Sequence, residues 1–363
     1  MSITSILKQR LLNQQIAATH FSKPEELVRW MGGMQAQDYG QAILAIGIRL
    51  QGATNEVVEN AIKQRKIIRT WLFRGTLHFV SADNVHPFLE LLSPKLIKGS
   101  ATRHRQLKLD EAILKQCRNV LIRSLRDGRE LVREEISEAL KQKGITASGE
   151  RLLHILHYAA LNKVICLGTK RDKQFTYTLL GEAADANKTF NRTETLAMLA
   201  LQYYQSHGPA TVQDFASWGG FNITDAREGL ESIKTSLTEE KINGQSFWGV
   251  ENNSKIDAKR NDVYLLPGFD EYIMGYKDRV HFLDAAYAKR VISVNGLFAP
   301  TIIINGQITG IWKRTVKRDQ LQIEITPLKP LNKSENKAVL QAADRYADIT
   351  GLNVSGIENG KHQ

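Results

Sequence analysis

Gln35 and Gln37 are the residues of this sequence whose type and spacing suggest chemistry most directly. They lie in the segment MGGMQAQDYG, residues 31–40, directly after a helical pattern that Gly32 and Gly33 would end. Residues two apart in extended backbone point to the same side, so the two carboxamides would converge on one spot. Each carboxamide offers an acceptor oxygen and two donor hydrogens, which is enough to hold a water molecule. A solvated helix cap or turn is the commoner explanation of such a pair, so spacing alone does not establish a catalytic role.

Further polar residues could support this pair. If the backbone is extended, Asp38 points away from Gln37, which predicts a cap or supporting role, whereas a modest bend would bring its carboxylate to the reacting centre. Arg74, Thr76 and His78 alternate along a predicted hairpin and would share one face. Thr76 and His78 could orient the glutamines or contact a sugar, and Arg74 could bind a phosphate. The alternative for all three is a solvated hairpin face.

Charge favours a polyanionic partner. The chain has 363 residues and a net charge of +11, with 49 Lys and Arg against 38 Asp and Glu. Residues 95–173 hold 18 basic and 9 acidic side chains, and therefore most of the excess. The alternative is that these cations only keep helix surfaces soluble. We expect exposed basic clusters to bind DNA phosphates, namely Arg103, Arg105 and Lys108, then Lys170, Arg171 and Lys173, and finally Lys313, Arg314, Lys317 and Arg318.

Composition argues against a disulfide framework, a metal site and a membrane span. Cys117 and Cys166 are the two cysteines, and their spacing matches no metal-binding motif. His154 and His157 are three residues apart on a predicted helix, but no third ligand is spaced near them. The first residues are too polar for a signal peptide, and no long apolar run follows. We therefore expect a cytoplasmic, nucleoid-associated protein with no metal and no cofactor.

The elements that must position these residues follow a repeating pattern. Helical spacing at residues 6–15, 24–31 and 55–63 precedes a hairpin at 66–80, and three helices before a hairpin are typical of a winged helix. Helices at 110–126, 132–141 and 148–162 precede a second hairpin, and helices at 193–207, 211–218 and 224–235 precede a weaker third one. After residue 261 the pattern changes to strands, with a hairpin turn at Asn305-Gly306, a helix at 334–349 and a frayed tail from Ser355.

The predicted fold class is thus α+β, with three tandem winged-helix units (helix-turn-helix plus β-hairpin) and a small β-rich C-terminal domain. The predicted domains are residues 1–95, a winged helix with the glutamine pair; 96–185 and 186–258, two further winged helices; and 259–363, the β-rich domain with its closing helix.

Four stretches spread along the chain carry a resemblance to a known family. They are LVRWMGGMQAQD (27–38), RTWLFRGTLHFV (69–80), YLLPGFDEYIMGYKDR (264–279) and LFAPTIIINGQITGIWKR (297–314). Through them the chain resembles the AlkZ/YcaQ family of winged-helix DNA glycosylases. The family's catalytic motif is Gln, an aliphatic residue, then Gln or Asp, and it corresponds here to Gln35, Ala36 and Gln37.

The resemblance implies a monofunctional DNA glycosylase that acts as a monomer on double-stranded DNA with alkylated purines. A purine alkylated at N7 or N3 is cationic and leaves readily, so two neutral amides that orient water would suffice. Simple alkyl adducts and bulky or interstrand-crosslink adducts both stay open as substrates. The main rival is a non-catalytic winged-helix DNA-binding protein such as a transcriptional regulator, and a scaffold on RNA or chromatin is a third alternative.

Overall fold

The computed structural model of the chain describes residues 2–181, 190–251, 262–318 and 320–359. The first elements are α1 (Ile3–Asn13), α2 (Pro24–Met31), the two-residue strand β1 (Met34–Gln35), α3 (Tyr39–Gly47), α4 (Asn55–Lys63), β2 (Ile67–Trp71), β3 (Leu77–Ser81) and α5 (Ala82–Gln106). They are followed by α6 (Glu111–Ser124), α7 (Arg133–Lys141), α8 (Gly149–Leu161), β4 (Ile165–Arg171), β5 (Gln174–Leu179), α9 (Arg192–His207), α10 (Val212–Gly219), α11 (Ile223–Ile233), β6 (Thr238–Ile242) and β7 (Gln245–Gly249). The last are β8 (Val263–Leu266), α12 (Glu271–Met274), α13 (Ala288–Val291), β9 (Thr301–Ile304), β10 (Gln307–Lys317), β11 (Gln320–Pro327), α14 (Lys333–Thr350) and β12 (Asn353–Asn359).

The chain forms two compact units, one of residues 1–60 and 197–363 and one of residues 61–196. The second unit contains α5 to α8 and the strands β3, β2, β4 and β5, which lie side by side in that order. Arg69 joins the two hairpins, because it pairs with Phe79 on β3 and with Leu167 on β4. The three helices and the hairpin predicted between residues 110 and 180 are all present, as α6, α7, α8 and the β4–β5 hairpin.

The first unit repeats the order of three helices and a hairpin, in α9, α10, α11, β6 and β7. Its second part is an antiparallel sheet of the order β11-β10-β9-β8, with β12 added in parallel beside β11. The predicted turn at Asn305-Gly306 joins β9 and β10, and both residues have the positive φ that such a hairpin turn requires.

One apolar core lies between this C-terminal sheet and α14. Its centre is Trp312, whose ring packs against Tyr346 of α14 with 4.9 Å between the ring centroids. The Trp312 Nε1 donates to the carbonyl of Leu266 at 2.9 Å, so the buried indole keeps a hydrogen-bond partner. Leu44 of α3 belongs to the same core, and this contact attaches α3 to the C-terminal sheet.

Several expectations about the elements are corrected by the structure. The helix α3 was not predicted, and α5 runs without interruption across the boundary expected between residues 95 and 96. The segment 267–276, read as strand, contains a turn and the short helix α12. The tail expected to be frayed from Ser355 pairs as β12 up to Asn359, and residues 360–363 lie outside the described residues. The four predicted domain ranges stay a prediction, and the fold class at its coarse level, a mixed α+β fold, is confirmed.

Candidate functional site

The segment between α2 and α3 bends sharply, and Gly32 makes the bend possible. Gly32 ends α2 with a φ of +75°, a region that favours glycine. A Cβ on this residue would also lie 3.2 Å from Cη2 of Trp218, closer than ordinary contact. The chain can therefore turn tightly from α2 into β1 and present Gln35 directly after the bend.

Glu271 anchors β1 from a point 236 residues along the chain. Its Oε1 accepts a hydrogen bond from the Gln35 backbone N at 2.7 Å, and its Oε2 accepts from Trp218 Nε1 at 3.0 Å. His207 Nε2 lies 3.5 Å from the same Oε2. Burial lowers the pKa of His207 below its usual value, so the imidazole is neutral at pH 7. The carboxylate thus ties β1 to α9 and α10 inside the first unit.

The neighbouring Asp270 is held as firmly. Its two oxygens accept from both terminal nitrogens of Arg49 at 2.7 and 2.8 Å, and both side chains are fully buried. Arg49 Nε also donates to the Gln14 carbonyl at 2.9 Å. Gly268 N donates to Gln41 Oε1 at 2.9 Å, which links the same loop to α3. The loop at 268–271 is therefore fixed at Gln35, inside the segment of residues 31–40 (the glutamine segment), and at Gln41, directly after it.

The two glutamines occupy unlike environments, although their spacing predicts that the two carboxamides converge on one spot. Gln35 is 7% exposed, and its Oε1 accepts from the backbone N of Ala36 at 3.0 Å and of Gln37 at 3.3 Å. Gln37 is exposed to solvent. Gln35 thus holds the backbone that carries the exposed Gln37.

Asp38 caps α3, as one of the two alternatives for this residue predicts. Its Oδ1 accepts from Gln41 N at 3.2 Å. A Cβ on Gly40 would lie 3.3 Å from Arg314 Nη2 and 3.7 Å from Asp38 Oδ1, so the Arg314 guanidinium lies beside this first turn. Arg314 also donates to the hydroxyl of Tyr346. It is therefore half-buried beside the glutamine segment, whereas the sequence predicted an exposed side chain.

The shared face expected for Arg74, Thr76 and His78 is not formed. Arg74 lies in a 3-10 turn with a φ of +56°, so the alternation of extended backbone does not reach it. Thr76 Oγ1 donates to the Phe73 carbonyl at 3.2 Å. His78 lies on β3 and is buried, with Nδ1 3.0 Å from the Thr76 carbonyl and its ring edge-on to Phe73. Arg74 and Thr76 are half-buried and His78 is buried, so these residues do not form a solvated surface. Their roles stay predictions.

The predicted basic clusters differ in how available their charges are. Arg103 forms an ion pair with Glu150, and Arg171 forms one with Glu135 at 2.7 Å. These two guanidinium groups would have to leave a carboxylate to bind phosphate. The other predicted cations, apart from Arg314, are all exposed: Arg105, Lys108, Lys170, Lys173, Lys313, Lys317 and Arg318. Their assignment to DNA binding remains a prediction.

His154 and His157 are packed among aromatic rings. The His154 ring lies 5.5 Å from that of His104 and 6.4 Å from that of His157, centroid to centroid. Burial lowers the pKa of His157 to about 4. Within the described residues, no group of three or more His, Cys, Asp or Glu side chains is arranged to hold a metal ion.

Sequence reasoning missed Glu271, Asp270 and Arg49. A signal was available, because two adjacent acids in the apolar stretch YLLPGFDEYIMGY are unusual for a segment that must be buried. Their partners lie too far away along the chain to be named from the sequence.

The chain is similar to known DNA glycosylases along nearly its whole length. A family model described as "DNA glycosylase AlkZ-like" matches residues 28–349. The protein named "Interstrand DNA cross-link repair glycosylase" from Streptomyces sahachiroi is 26% identical over 349 residues, which are 90% of this chain and 91% of that protein. The solved structure of Streptomyces sahachiroi DNA glycosylase AlkZ has the same fold, with a TM-score of 0.82 at 23% identity over 99% of this chain and 100% of that one. No helix in the described part of the chain has the length and apolar character to cross a membrane.

Proposed function

The chain belongs to the AlkZ-like DNA glycosylase family, and from this premise we propose that it hydrolyses the N-glycosidic bond of cationic N-alkylated purines in double-stranded DNA. Gln35 and Gln37 serve one water molecule in this proposal. The observation that carries it is the anchoring of this segment, because Glu271 fixes the backbone at Gln35 while Gln37 remains exposed.

The proposed reaction needs no strong base. The water oxygen forms a bond to C1′ of the sugar, and the bond between C1′ and the base nitrogen breaks. Its electron pair neutralises the cationic base as the base leaves, and the proton of the attacking water passes to solvent. The Gln37 carboxamide orients the water, and its acceptor oxygen favours the positive charge that develops on the sugar. Gln35 also positions Gln37, because its own oxygen accepts from the backbone N of Ala36 and of Gln37.

Three tandem winged helices are our interpretation of the helical part. Two runs of three helices followed by a hairpin, α6 to β5 and α9 to β7, support this interpretation. The excess of basic residues between 95 and 173 supports double-stranded DNA as the ligand. We propose that the protein acts as a monomer and that the reaction is monofunctional.

The substrates include crosslinked or bulky purine adducts in this proposal. The Streptomyces sahachiroi relative is named as a glycosylase of interstrand crosslink repair, and the similarity to it spans nearly the whole of both chains. An assay on 7-methylguanine and on a purine-linked interstrand crosslink, in duplexes of one sequence, compares the two substrate types directly.

Single-turnover release of 7-methylguanine from a defined duplex tests the catalytic pair. We expect Gln37→Ala to slow release by roughly a hundredfold or more, since the water loses its orientation. The double variant with Gln35→Ala should be little slower than the poorer single variant, because groups that serve one water act as a unit. Gln37→Asp should keep partial activity, because a carboxylate can also orient water beside a cationic sugar.

The control is Gln213→Ala, which removes an exposed glutamine from α10 in the same unit. It should release the base at the wild-type rate. Near-normal base release by the double variant would show that the two glutamines are not part of the active site. If the wild-type protein binds DNA but releases no base, the result would instead favour the alternative of a non-catalytic DNA-binding protein such as a transcriptional regulator.

A further inference from the structure

The second unit contains a cavity of about 380 Å³ that is separate from the glutamine segment. It lies on one face of the sheet formed by β2, β3, β4 and β5, next to the first turn of α7. Its size falls within the range of about 300–1,000 Å³ typical of small-ligand sites. The residues that line it are Arg69, Trp71, Leu77, Arg133, Glu134, Leu167, Gln174, Phe175 and Tyr177.

Aromatic side chains form the inner wall of this cavity. Trp71 and Tyr177 are buried and nearly parallel, with 13° between their ring planes and 6.5 Å between centroids. Phe175 is half-buried on the same face. Flat aromatic and apolar surface of this kind binds planar rings such as nucleobases by stacking and by excluding water.

Two arginines add positive charge to this aromatic wall. Arg69 is 4% exposed, and its guanidinium carbon lies 4.2 Å from the centroid of the Phe175 ring. Arg133 is exposed at the start of α7, and its Nε donates to the Tyr177 hydroxyl at 3.1 Å. Lys170 Nζ lies 5.3 Å from the centroid of the same Phe175 ring. A guanidinium can stack on a base and can also bind a phosphate. The cavity therefore offers a partner for each of the two parts of a nucleotide, the base and the phosphate.

We propose that this cavity binds one unpaired nucleotide of a DNA strand. The base packs against the exposed part of the Phe175 ring, which the buried guanidinium of Arg69 supports, and the adjoining phosphate binds Arg133. The exposed carboxylate of Glu134 at the rim accepts from an exocyclic amine of the base. The proposal rests on the proposed DNA ligand and adds to it a second contact, outside the glutamine segment, that favours locally unpaired DNA.

Competition binding of two undamaged duplexes tests this site without any base release. One duplex is fully paired, and the other has the same length with a single bulged adenosine at its centre. The wild-type protein should bind the bulged duplex more tightly by about fivefold or more, the effect of stacking one base on an aromatic side chain. Phe175→Ala and Phe175→Leu should lose this preference and keep their affinity for the paired duplex, whereas Phe175→Tyr should retain it.

Arg133→Ala should weaken binding of the bulged duplex selectively. Its matched control is Arg126→Ala, which removes the same charge from an exposed position of the same unit that does not line the cavity. The control should weaken both duplexes equally. A photocrosslink on the wild-type protein gives a second measurement, since a bulged 5-iodouridine should attach to a peptide that contains residues 174–177.

Two results would overturn the proposal. They are equal affinity of the wild-type protein for the bulged and paired duplexes, and a preference that survives in Phe175→Ala. A protein that releases 7-methylguanine but has no preference for the bulge would refute this site alone. A protein that binds neither duplex would refute the proposed function as well.

Discussion

Glu271 illustrates how one buried residue can control an exposed one. A carboxylate only accepts hydrogen bonds, and the Gln35 backbone N and the Trp218 indole N both donate to it. Burial strengthens these bonds and makes their loss costly. The backbone at Gln35 is therefore held in place, and two residues later the Gln37 side chain is exposed.

Replacing Glu271 by Gln should weaken both the fold and the reaction. The amide keeps one acceptor oxygen and turns an NH₂ group toward a donor, so one buried N–H loses its partner. We expect the free energy of unfolding in urea to fall by about 1–3 kcal/mol. Base release should slow while DNA affinity stays the same, which is the mark of a positioning residue. The control is Glu59→Gln, which changes an exposed carboxylate of the same unit. Wild-type rates in Glu271→Gln would contradict this role.

Gln35 and Gln37, the two glutamines of the proposed site, should differ in what they contribute to stability. Gln35→Ala removes a buried acceptor from two backbone N–H groups, so we expect a loss of about 1–3 kcal/mol. Gln37→Ala changes an exposed side chain and should stay within about 0.5 kcal/mol of the wild type. Urea unfolding of both variants measures the difference. Equal destabilisation of the two variants would mean that the unlike environments have no energetic consequence.

At the scale of elements, local sequence signals explain which parts could be predicted. The helices α2 and α4 begin and end where the spacing predicts, because each has a polar and an apolar side. The helix α3 is apolar on most sides and gives no helical period, and α5 contains Pro87 and Pro94, which normally indicate a helix end. The strand β12 depends on its pairing with β11, which no local pattern encodes.

The candidate site was predictable to a similar extent. Its glutamines follow from a short local segment, and the capping role of Asp38 was one of two alternatives, because α3 itself was not predicted. The contact of Gln35 with Glu271 joins residues 236 positions apart, so only the folded chain brings the two residues together. The separation of a buried Gln35 from an exposed Gln37 has the same origin.

The β4–β5 hairpin tip allows a sharp test of phosphate binding. Lys170 and Lys173 are exposed there, whereas Arg171 is paired with Glu135. Replacing both lysines by Ala should lower the slope of log affinity against log salt by about 2, one unit for each lost phosphate contact. The double variant of Lys141 and Lys143, exposed cations of the same unit, removes equal charge and should change the slope less. An unchanged slope in the hairpin variant would show that this tip is only a solvated turn.

His157 of α8 should make the free energy of unfolding depend on pH. Its folded pKa of about 4 lies below the unfolded value of about 6.5, so the unfolded chain binds the proton first as pH falls. Stability is therefore fully present above the unfolded pKa and is lost on acidification, by up to about 2 kcal/mol between pH 7 and pH 5. Urea unfolding at both pH values should show a smaller loss in His157→Phe, whose ring can still pack against Trp71. An identical loss in this variant would assign the pH dependence to other groups.

For the whole molecule, charge and catalysis are distributed differently along the chain. The glutamine segment and its anchors belong to the unit of residues 1–60 and 197–363, whereas most of the charge excess lies in residues 95–173, within the other unit. In the proposed function, phosphate contacts made by the basic residues set affinity and its salt dependence, and the glutamines set the rate. Variants of the two groups should therefore separate binding from base release.

A single copy of the chain is expected to excise the base and to leave an intact abasic strand. Residues 31–40 include no lysine, so the glutamine segment itself supplies carboxamides but no amine that could form a Schiff base with the sugar. After reaction with 7-methylguanine duplex, a denaturing gel should show full-length strand that breaks only after alkali treatment, and borohydride should trap no protein–DNA adduct. Sedimentation should give a complex of one 40.9 kDa chain with one lesion duplex. Strand breakage without alkali, or a trapped adduct, would show that an amine of this protein attacks the sugar and that the reaction is not monofunctional.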